Sequence, residues 1–351
     1  MPAAATPLEG LTFDRLRRMQ ATLERRSRQR DAANILSVGF APQLGDRPVL
    51  QSSSSLPITA QFDVQQKLLQ VPPEKRIAQV ESLRLLDRAT GQFQHIALAT
   101  DIDPRGTLVP TGVRVALDGN YATSSLVVRW TKVEPVPRLP TAEQPDDPRW
   151  RWGLLSVAHV FSLGDSSRRA QAQVERRISC GSGPAHVVGE VIASGRIPGG
   201  PDIGLVETGL DRLWLSGMLS RPDAPPIAPA SEAQLLRWVS QGTTGSFLAD
   251  GSSHAWQWQT FYPELAIAKL GKLQHIIRYR SVAVAEAAQP PFGPGSSGGV
   301  LVAGGIPIAV QVAAMAPDFT VGFAQSLDVS LGWLKLRLRA SALQLVQLLV
   351  D

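Results

Sequence analysis

Three polar side chains stand at the edges of apolar, strand-like runs and could together perform acyl transfer. His159 follows the run at residues 155–157, and Asp202 begins the run at 202–205. Ser297 lies in a glycine-rich stretch of residues 293–300. Serine hydrolysis needs a hydroxyl nucleophile, a base that takes its proton, and a carboxylate that orients and stabilises the base. These residue types therefore predict a nucleophilic site, provided that the fold brings them together.

The segments around these residues resemble sequence boxes of the trypsin/chymotrypsin-like serine peptidase family. Ser-Val-Ala-His-Val at 156–160 is similar to the family's Thr-Ala-Ala-His-Cys box, and Asp-Ile-Gly-Leu at 202–205 to its Asp-Ile-Ala-Leu box. Gly-Ser-Ser-Gly-Gly at 295–299 is similar to Gly-Asp-Ser-Gly-Gly. The chain order His, Asp, Ser and the intervals of about 43 and 95 residues resemble those of the chymotrypsin template. The resemblance covers roughly residues 110–351, and a weaker match at 239–246 is similar to a strand-turn of bacterial members.

The resemblance implies a serine endopeptidase that forms an acyl-enzyme. Ser297 would be the nucleophile, His159 the general base, and Asp202 the orienting carboxylate. The backbone N–H groups of Gly295 and Ser297 would form the oxyanion hole. The same alignment assigns four residues to the substrate pocket: Pro291, Ala313, Met315 and Val321.

Two departures from the family pattern bear on activation and specificity. Ser296 stands where the family has an aspartate that receives a new N-terminal amine, and no Ile-Val-Gly-Gly start is visible. We therefore expect no activation by N-terminal insertion, and hypothesise that the preceding N-terminal module controls activity. Pro291 stands where trypsins keep an acidic pocket floor, so we do not expect specificity for Arg or Lys. Val321, near the position of a pocket glycine of the family, would narrow the pocket, which predicts a small or medium apolar residue before the scissile bond. Two alternatives stay open: a catalytically silent barrel that acts as a binding or scaffold module, and a partner-activated protease that senses an anionic ligand.

The pattern of short strands and turn signals after residue 112 is typical of an all-β barrel. With the resemblance, it predicts a mainly β fold of two six-stranded antiparallel barrels of chymotrypsin type. We expect a strand at residues 235–240 and a helix in the tail at 331–350. The predicted divisions are a basic amphipathic helix (1–33), a small accessory α+β module (34–109), a first barrel with His and Asp (110–220), a proline-rich linker (221–230), and a second barrel with Ser and a C-terminal helix (231–351).

The predicted N-terminal helix combines a narrow apolar stripe with a strongly basic face. Phe13, Leu16 and Met19 recur at helical spacing. Between Arg15 and Arg30 lie seven arginines and a single acidic residue. The simplest interpretation is a solvated face that docks on the protein's own core. Binding of nucleic acid or of an acidic regulatory protein is the alternative.

Composition limits the remaining possibilities. The chain has 351 residues, 44% of them hydrophobic, and a net charge of +5, which allows two or three globular domains. Cys180 is the only cysteine, so no internal disulfide can form and a cytoplasmic location is expected. No secretory signal and no membrane span is expected. The sequence lacks His-x-x-x-His pairs, cysteine clusters and Walker loops, so we expect neither metal nor cofactor.

Overall fold

Two β-sheets carry all of the strands that a computed structural model of the chain describes, and the fold is mainly β as predicted. The described residues are 11–32, 34–42, 58–64, 71–72, 75–86, 91–104, 108–109, 115–116, 123, 126–141, 147–161, 173–176, 186–195, 200–210, 213, 223–249, 252–282, 291–293 and 296–348.

The helices described are α1 (Phe13–Asp31), α2 (Glu232–Gln241) and α3 (Leu327–Leu338). The strands that precede the linker are β1 (Ile35–Pro42), β2 (Ile58–Val64), β3 (Val80–Leu86), β4 (Phe93–Pro104), β5 (Leu108–Val109), β6 (Val115–Ala116), β7 (Leu126–Thr131), β8 (Arg151–Ser156), β9 (Gln173–Arg176), β10 (His186–Ser194) and β11 (Gly204–Thr208). Those that follow it are β12 (Thr244–Ala249), β13 (Ser252–Ile267), β14 (Gly271–Ser281), β15 (Val300–Ala303), β16 (Ile306–Met315), β17 (Val321–Ser326) and β18 (Ala342–Leu348).

Six strands of the larger sheet close on themselves and form the second barrel. They pair in the order β12-β15-β16-β17-β14-β13, and β13 pairs with β12 to complete the ring. All of these pairings are antiparallel. The barrel therefore has the six antiparallel strands that the resemblance implies. Strand β13 is long enough to pair with two strands along one edge. Its first half pairs with β12, and Phe261, farther along, pairs with Phe40 of β1.

The N-terminal strands extend the sheet of the second barrel. Beyond β13 the order continues β1-β2-β4-β3, with β2 and β4 parallel and the other pairs antiparallel. A buried ion pair spans this junction, because Arg278 Nη1 of β14 lies 3.4 Å from Asp63 Oδ1 of β2. Tyr262 of β13 donates to the same carboxylate at 3.2 Å. Losing one partner would leave a buried charge uncompensated. The strands predicted as an accessory module thus continue the sheet of the second barrel.

Helix α1 forms where the sequence predicts it, and it packs on the extension of the sheet. Thr12 caps its start by accepting from the N–H of Arg15 at 3.2 Å, and the apolar stripe is buried against β1 and β13. Several of its arginines bind the β3–β4 hairpin: Arg15 to Gln94, Arg18 to the carbonyl of Leu86, Arg26 to the carbonyl of Ser82, and Arg30 to Glu81. Because β3 is the edge strand, these contacts cover carbonyl groups that a second chain could otherwise pair with. Part of the basic face therefore serves the protein's own fold.

The smaller sheet carries the first-barrel strands and one strand from the tail. Its order is β18-β7-β8-β11-β10-β9-β6. The predicted C-terminal helix is present but ends at Leu338, and the prediction of helix to residue 350 is wrong. Arg339 takes a left-handed conformation (φ 52°), and β18 then pairs antiparallel with β7. Leu345 and Val346 of β18 are buried in the hydrophobic cluster that also contains residues of β7 and β8. The tail thus crosses from the second barrel to the first.

Residues 235–240, which we expected to be a strand, belong to helix α2. Ser231 caps this helix, and Gln234 reaches back to the N–H of Ser231, a capping box whose sequence signal precedes the apolar run. The proline-rich stretch before α2 contacts both sheets. Ile227 forms an isolated bridge with Leu345 of β18, and the N–H of Ala230 donates to the carbonyl of Pro307 at 2.9 Å.

Candidate active site

Strand pairing in the smaller sheet brings His159 and Asp202 together. Strand β8 ends at Ser156 and leads into a single 3-10 turn, Ala158–Val160, that carries His159. Strand β11 begins at Gly204, which pairs directly with Ser156. Asp202 precedes β11 by two residues, so the antiparallel register sets its side chain beside the turn.

Asp202 holds His159 at two atoms. Its Oδ1 accepts the backbone N–H of His159 at 2.8 Å, and its Oδ2 lies 2.6 Å from Nδ1 of the imidazole ring. Both residues are buried, at 1% and 7% exposed. Because a carboxylate only accepts, Nδ1 carries the proton, and in the neutral ring Nε2 keeps its lone pair. The pair therefore supplies a base whose tautomer and orientation are fixed.

The loop that carries Asp202 is held from both sheets. The backbone N–H of Asp202 donates to Oε1 of Gln325, on β17 of the second barrel, at 2.8 Å. On the other side, the N–H of Gly195 donates to the carbonyl of Ile203 at 2.9 Å. A Cβ at Gly195 would lie only 1.7 Å from the carbonyl oxygen of Pro201, so this approach requires glycine. Neither of these two hydrogen bonds could be predicted from the sequence.

Ser297 lies in a tight turn that is fastened to β16. The N–H of Ser296 donates to the carbonyl of Gly293 at 3.1 Å, and that of Gly299 to the carbonyl of Ser296 at 2.9 Å. Gln311 of β16 accepts from the N–H of Gly298 at 2.9 Å and donates to the carbonyl of Gly299 at 2.8 Å. Gly298 has φ +86°, which a residue with a side chain rarely adopts.

The turn of Ser297 lies directly against the strand that leads to His159. The N–H of Thr123 donates to the carbonyl of Ser297 at 2.7 Å, and Oγ of Ser156 donates to the carbonyl of Thr123 at 2.7 Å. A Cβ at Gly298 would lie 1.9 Å from the Thr123 oxygen and 3.0 Å from Ser156 Oγ. The structure thus brings the three residues predicted as a triad into one buried region between the sheets.

The other residues predicted for the site are distributed as follows. Gly295, the predicted partner of Ser297 in the oxyanion hole, lies outside the described residues. Ala313 of β16 and Val321 of β17 are buried in one hydrophobic cluster, and Met315 packs against it at the end of β16. Pro291 is half-buried in the segment before the nucleophile turn. The role of all four pocket residues in specificity stays a prediction.

The described parts of the chain contain neither a candidate metal site nor a candidate membrane-spanning helix. No group of three or more His, Cys, Asp or Glu side chains within them could hold a metal ion. None of the helices described is long and apolar enough to cross a membrane.

Comparison with known proteins identified solved structures only. No family model and no curated protein matches the chain. Matches include Protease A of Thermobifida fusca (15% identity, TM-score 0.38), the Nocardiopsis protease (14%, 0.37) and the chymotrypsin of Cellulomonas bogoriensis (16%, 0.35). Each alignment covers 68% of this chain and 98% of the other. These matched structures are bacterial trypsin/chymotrypsin-like serine proteases, the family that the sequence boxes resemble.

Proposed function

We propose that this protein is a serine-type endopeptidase with Ser297 as nucleophile, His159 as general base and Asp202 as orienting carboxylate. The observation that carries the proposal is the buried Asp202–His159 pair, which lies beside the glycine turn of Ser297. The proposal rests on this geometry. A strand-end histidine with a structural role would not need a carboxylate on both its backbone and its ring.

The reaction follows from the protonation state that Asp202 sets. Nε2 of His159 removes the proton of Ser297 Oγ as that oxygen attacks the carbonyl carbon of a peptide bond. The imidazolium that forms is stabilised by the Asp202 carboxylate and then protonates the leaving amine, which leaves an acyl-enzyme on Ser297. Water, deprotonated by the same ring nitrogen, releases the acid. The N–H groups of Gly295 and Ser297 would bind the oxyanion, and each such donor is worth roughly 3–4 kcal/mol of transition-state stabilisation.

The lining of the predicted pocket supports a preference for small or medium apolar residues. Pro291, Ala313, Met315 and Val321 bring no carboxylate that could pair with Arg or Lys. Cleavage of a peptide library mainly after Arg or Lys would contradict this part of the proposal.

The pairing of β5 supports control by the N-terminal segment. Leu108 and Val109 pair antiparallel with Met315 and Ala314 of β16. They use the edge of β16 that β15 occupies farther along, since the other edge is taken by β17. Such an edge beside a nucleophile is where an extended peptide substrate would add as a strand. We therefore propose that β5 must leave this edge before a substrate can bind.

One observation favours the alternative of a catalytically silent barrel. Ser297 is fully buried, whereas a nucleophile must meet its substrate. Under the endopeptidase proposal this burial belongs to a closed state, and displacement of β5 opens the site.

An anionic partner could trigger this displacement, because Arg17, Arg25 and Arg28 of α1 are exposed. Since Cys180 is the only cysteine, we propose that the enzyme works in the cytoplasm.

The test is labelling of the active serine by a fluorophosphonate probe. We expect the full-length protein to react slowly, since β5 must first leave the edge of β16, and we expect Ser297→Ala and His159→Ala to lose labelling. Ser330→Ala removes a hydroxyl that is equally buried but lies on α3, and it should label like the wild type. Absence of labelling in the folded wild type and in the opened variant below would refute the endopeptidase proposal.

Control by β5 is tested in the same assay. Proline at Leu108 and Val109 removes N–H donors from β5 and should weaken its pairing with β16. We expect faster labelling and faster peptide cleavage than in the wild type. Val136→Pro, at an exposed position outside the strands, is the matched control. Equal rates in the β5 variant and in the control would show that β5 does not restrict access.

A further inference from the structure

A chain of buried side chains links the barrel core to the turn that carries Ser297. Tyr279 of β14 donates its hydroxyl to Oε1 of Gln311 on β16. Nε2 of Gln311 donates to Oγ of Ser296 at 2.5 Å, and that hydroxyl donates to the carbonyl of Gly293 at 2.8 Å. Ser296 is 8% exposed, and Tyr279 and Gln311 are fully buried.

The donors in this chain all point the same way, from the core to the turn. Tyr279 can only donate to the amide oxygen of Gln311, and this choice turns the NH₂ group toward Ser296. The Ser296 hydroxyl accepts from that NH₂ group and donates its own proton to the carbonyl of Gly293. Burial raises the pKa of Tyr279 well above its ordinary value, so the hydroxyl keeps its proton at all working pH values.

Gln311 also holds the same turn through its backbone. Its N–H and C=O bind Gly299 and Gly298, the two residues that follow Ser297. Its side chain holds Ser296, the residue that precedes Ser297. Gln311 therefore forms hydrogen bonds with residues on both sides of Ser297 in the sequence.

We propose that Tyr279, Gln311 and Ser296 form a hydrogen-bonded relay that positions the nucleophile turn, with Gln311 as its central positioning residue. The inference deepens the proposed function and rests on it for its effect on catalysis. None of the three residues touches the reacting atoms. The relay holds the turn in the shape from which Ser297 can react, and it does so with neutral groups already present in the barrel.

The direct test is hydrogen exchange of the amides of Gly298 and Gly299. Tyr279→Phe removes only the hydroxyl, and Gln311→Met keeps about the length of the side chain but can neither donate to Ser296 nor accept from Tyr279. We expect exchange at both amides to accelerate about tenfold or more in each variant, the effect of losing at least one buried hydrogen bond. Tyr262→Phe is the matched control, because it deletes an equally buried hydroxyl that binds Asp63 instead.

A second measurement separates the relay from the proposed chemistry. In an active enzyme, Tyr279→Phe and Gln311→Met should lower kcat severalfold and leave KM unchanged, because the turn and not the substrate edge is altered. Exchange that stays at the wild-type rate in both variants would overturn the relay. So would acceleration that is equal in the turn and in α3, since the hydroxyl would then stabilise the barrel as a whole. Accelerated exchange confined to the turn, in a protein that no probe labels, would support the relay and refute the proposed function.

Discussion

His275 makes the stability of the protein depend on pH through the docking of helix α1. The ring is 8% exposed and lies between Phe13 of α1 and Phe261 of β13, with centroid distances of 4.2 and 5.8 Å. Among the residues that the structure describes, neither ring nitrogen has a hydrogen-bond partner. Burial, and then the charge of Arg17 on α1, lower the pKa of His275 from 6.5 to about 4. The folded protein therefore keeps this ring neutral under conditions in which the unfolded chain protonates it.

The direction and size of the effect follow from this difference in pKa. Between pH 6.5 and pH 4 the unfolded state binds more protons, so stability falls as the pH is lowered through this window. A full shift of this size corresponds to about 3 kcal/mol, reached below pH 4. Between pH 7 and pH 5 the loss is about 2 kcal/mol, because the unfolded-state histidine is then almost fully charged.

The assay compares the free energy of unfolding in denaturant at pH 7 and at pH 5. Asn does not titrate and tolerates the left-handed backbone at this position (φ 52°), so His275→Asn isolates the histidine. The variant should lose about 2 kcal/mol less stability than the wild type over this interval. His95→Asn, at an exposed position, should behave like the wild type. Equal pH dependence in His275→Asn and the wild type would refute the reasoning, since the ring would then titrate alike in both states.

Three further predictions concern the site and its support. Gly195→Ala should displace the Asp202 loop and lower probe labelling at least tenfold, because the added Cβ would lie 1.7 Å from the backbone oxygen of Pro201. The control is Gly209→Ala, whose Cβ would meet nothing within 4 Å and which should label like the wild type. Asp202→Asn should lower kcat by a factor of about 10⁴ with little change in fold, since the amide favours the wrong tautomer of the His159 ring. A loss of less than tenfold would argue against the orienting role of Asp202. Leu16→Ala should lower the free energy of unfolding by about 2–5 kcal/mol, because this α1 side chain is fully buried. The control Arg25→Ala, at an exposed position of the same helix, should change it by less than about 0.5 kcal/mol. Equal effects of the two substitutions would show that α1 is not part of the core.

The site residues that could be predicted from the sequence are those that lie in short, recognisable sequence patterns. His159, Asp202 and Ser297 each stand at the edge of an apolar run, and the structure brings all three together. The positioning residues left no such sign. Gln311 and Gln325 lie in the middle or at the end of buried strands, and only the strand register shows that they face the turn and the Asp202 loop.

The same contrast holds for the fold. Helix α1 could be predicted because its stripe repeats within one segment, and most barrel strands because their runs are bounded by turn signals. Residues 235–240 were assigned wrongly because a short apolar run suits a strand or a helix, and here the capping box decides for α2. The sequence by itself determined which residues can do the chemistry and where many elements lie. Tertiary structure alone decided that the N-terminal strands extend the sheet of the second barrel and that β18 joins the first, because such pairings form between segments some 200 residues apart, where the free energy of burying both partners outweighs local preference.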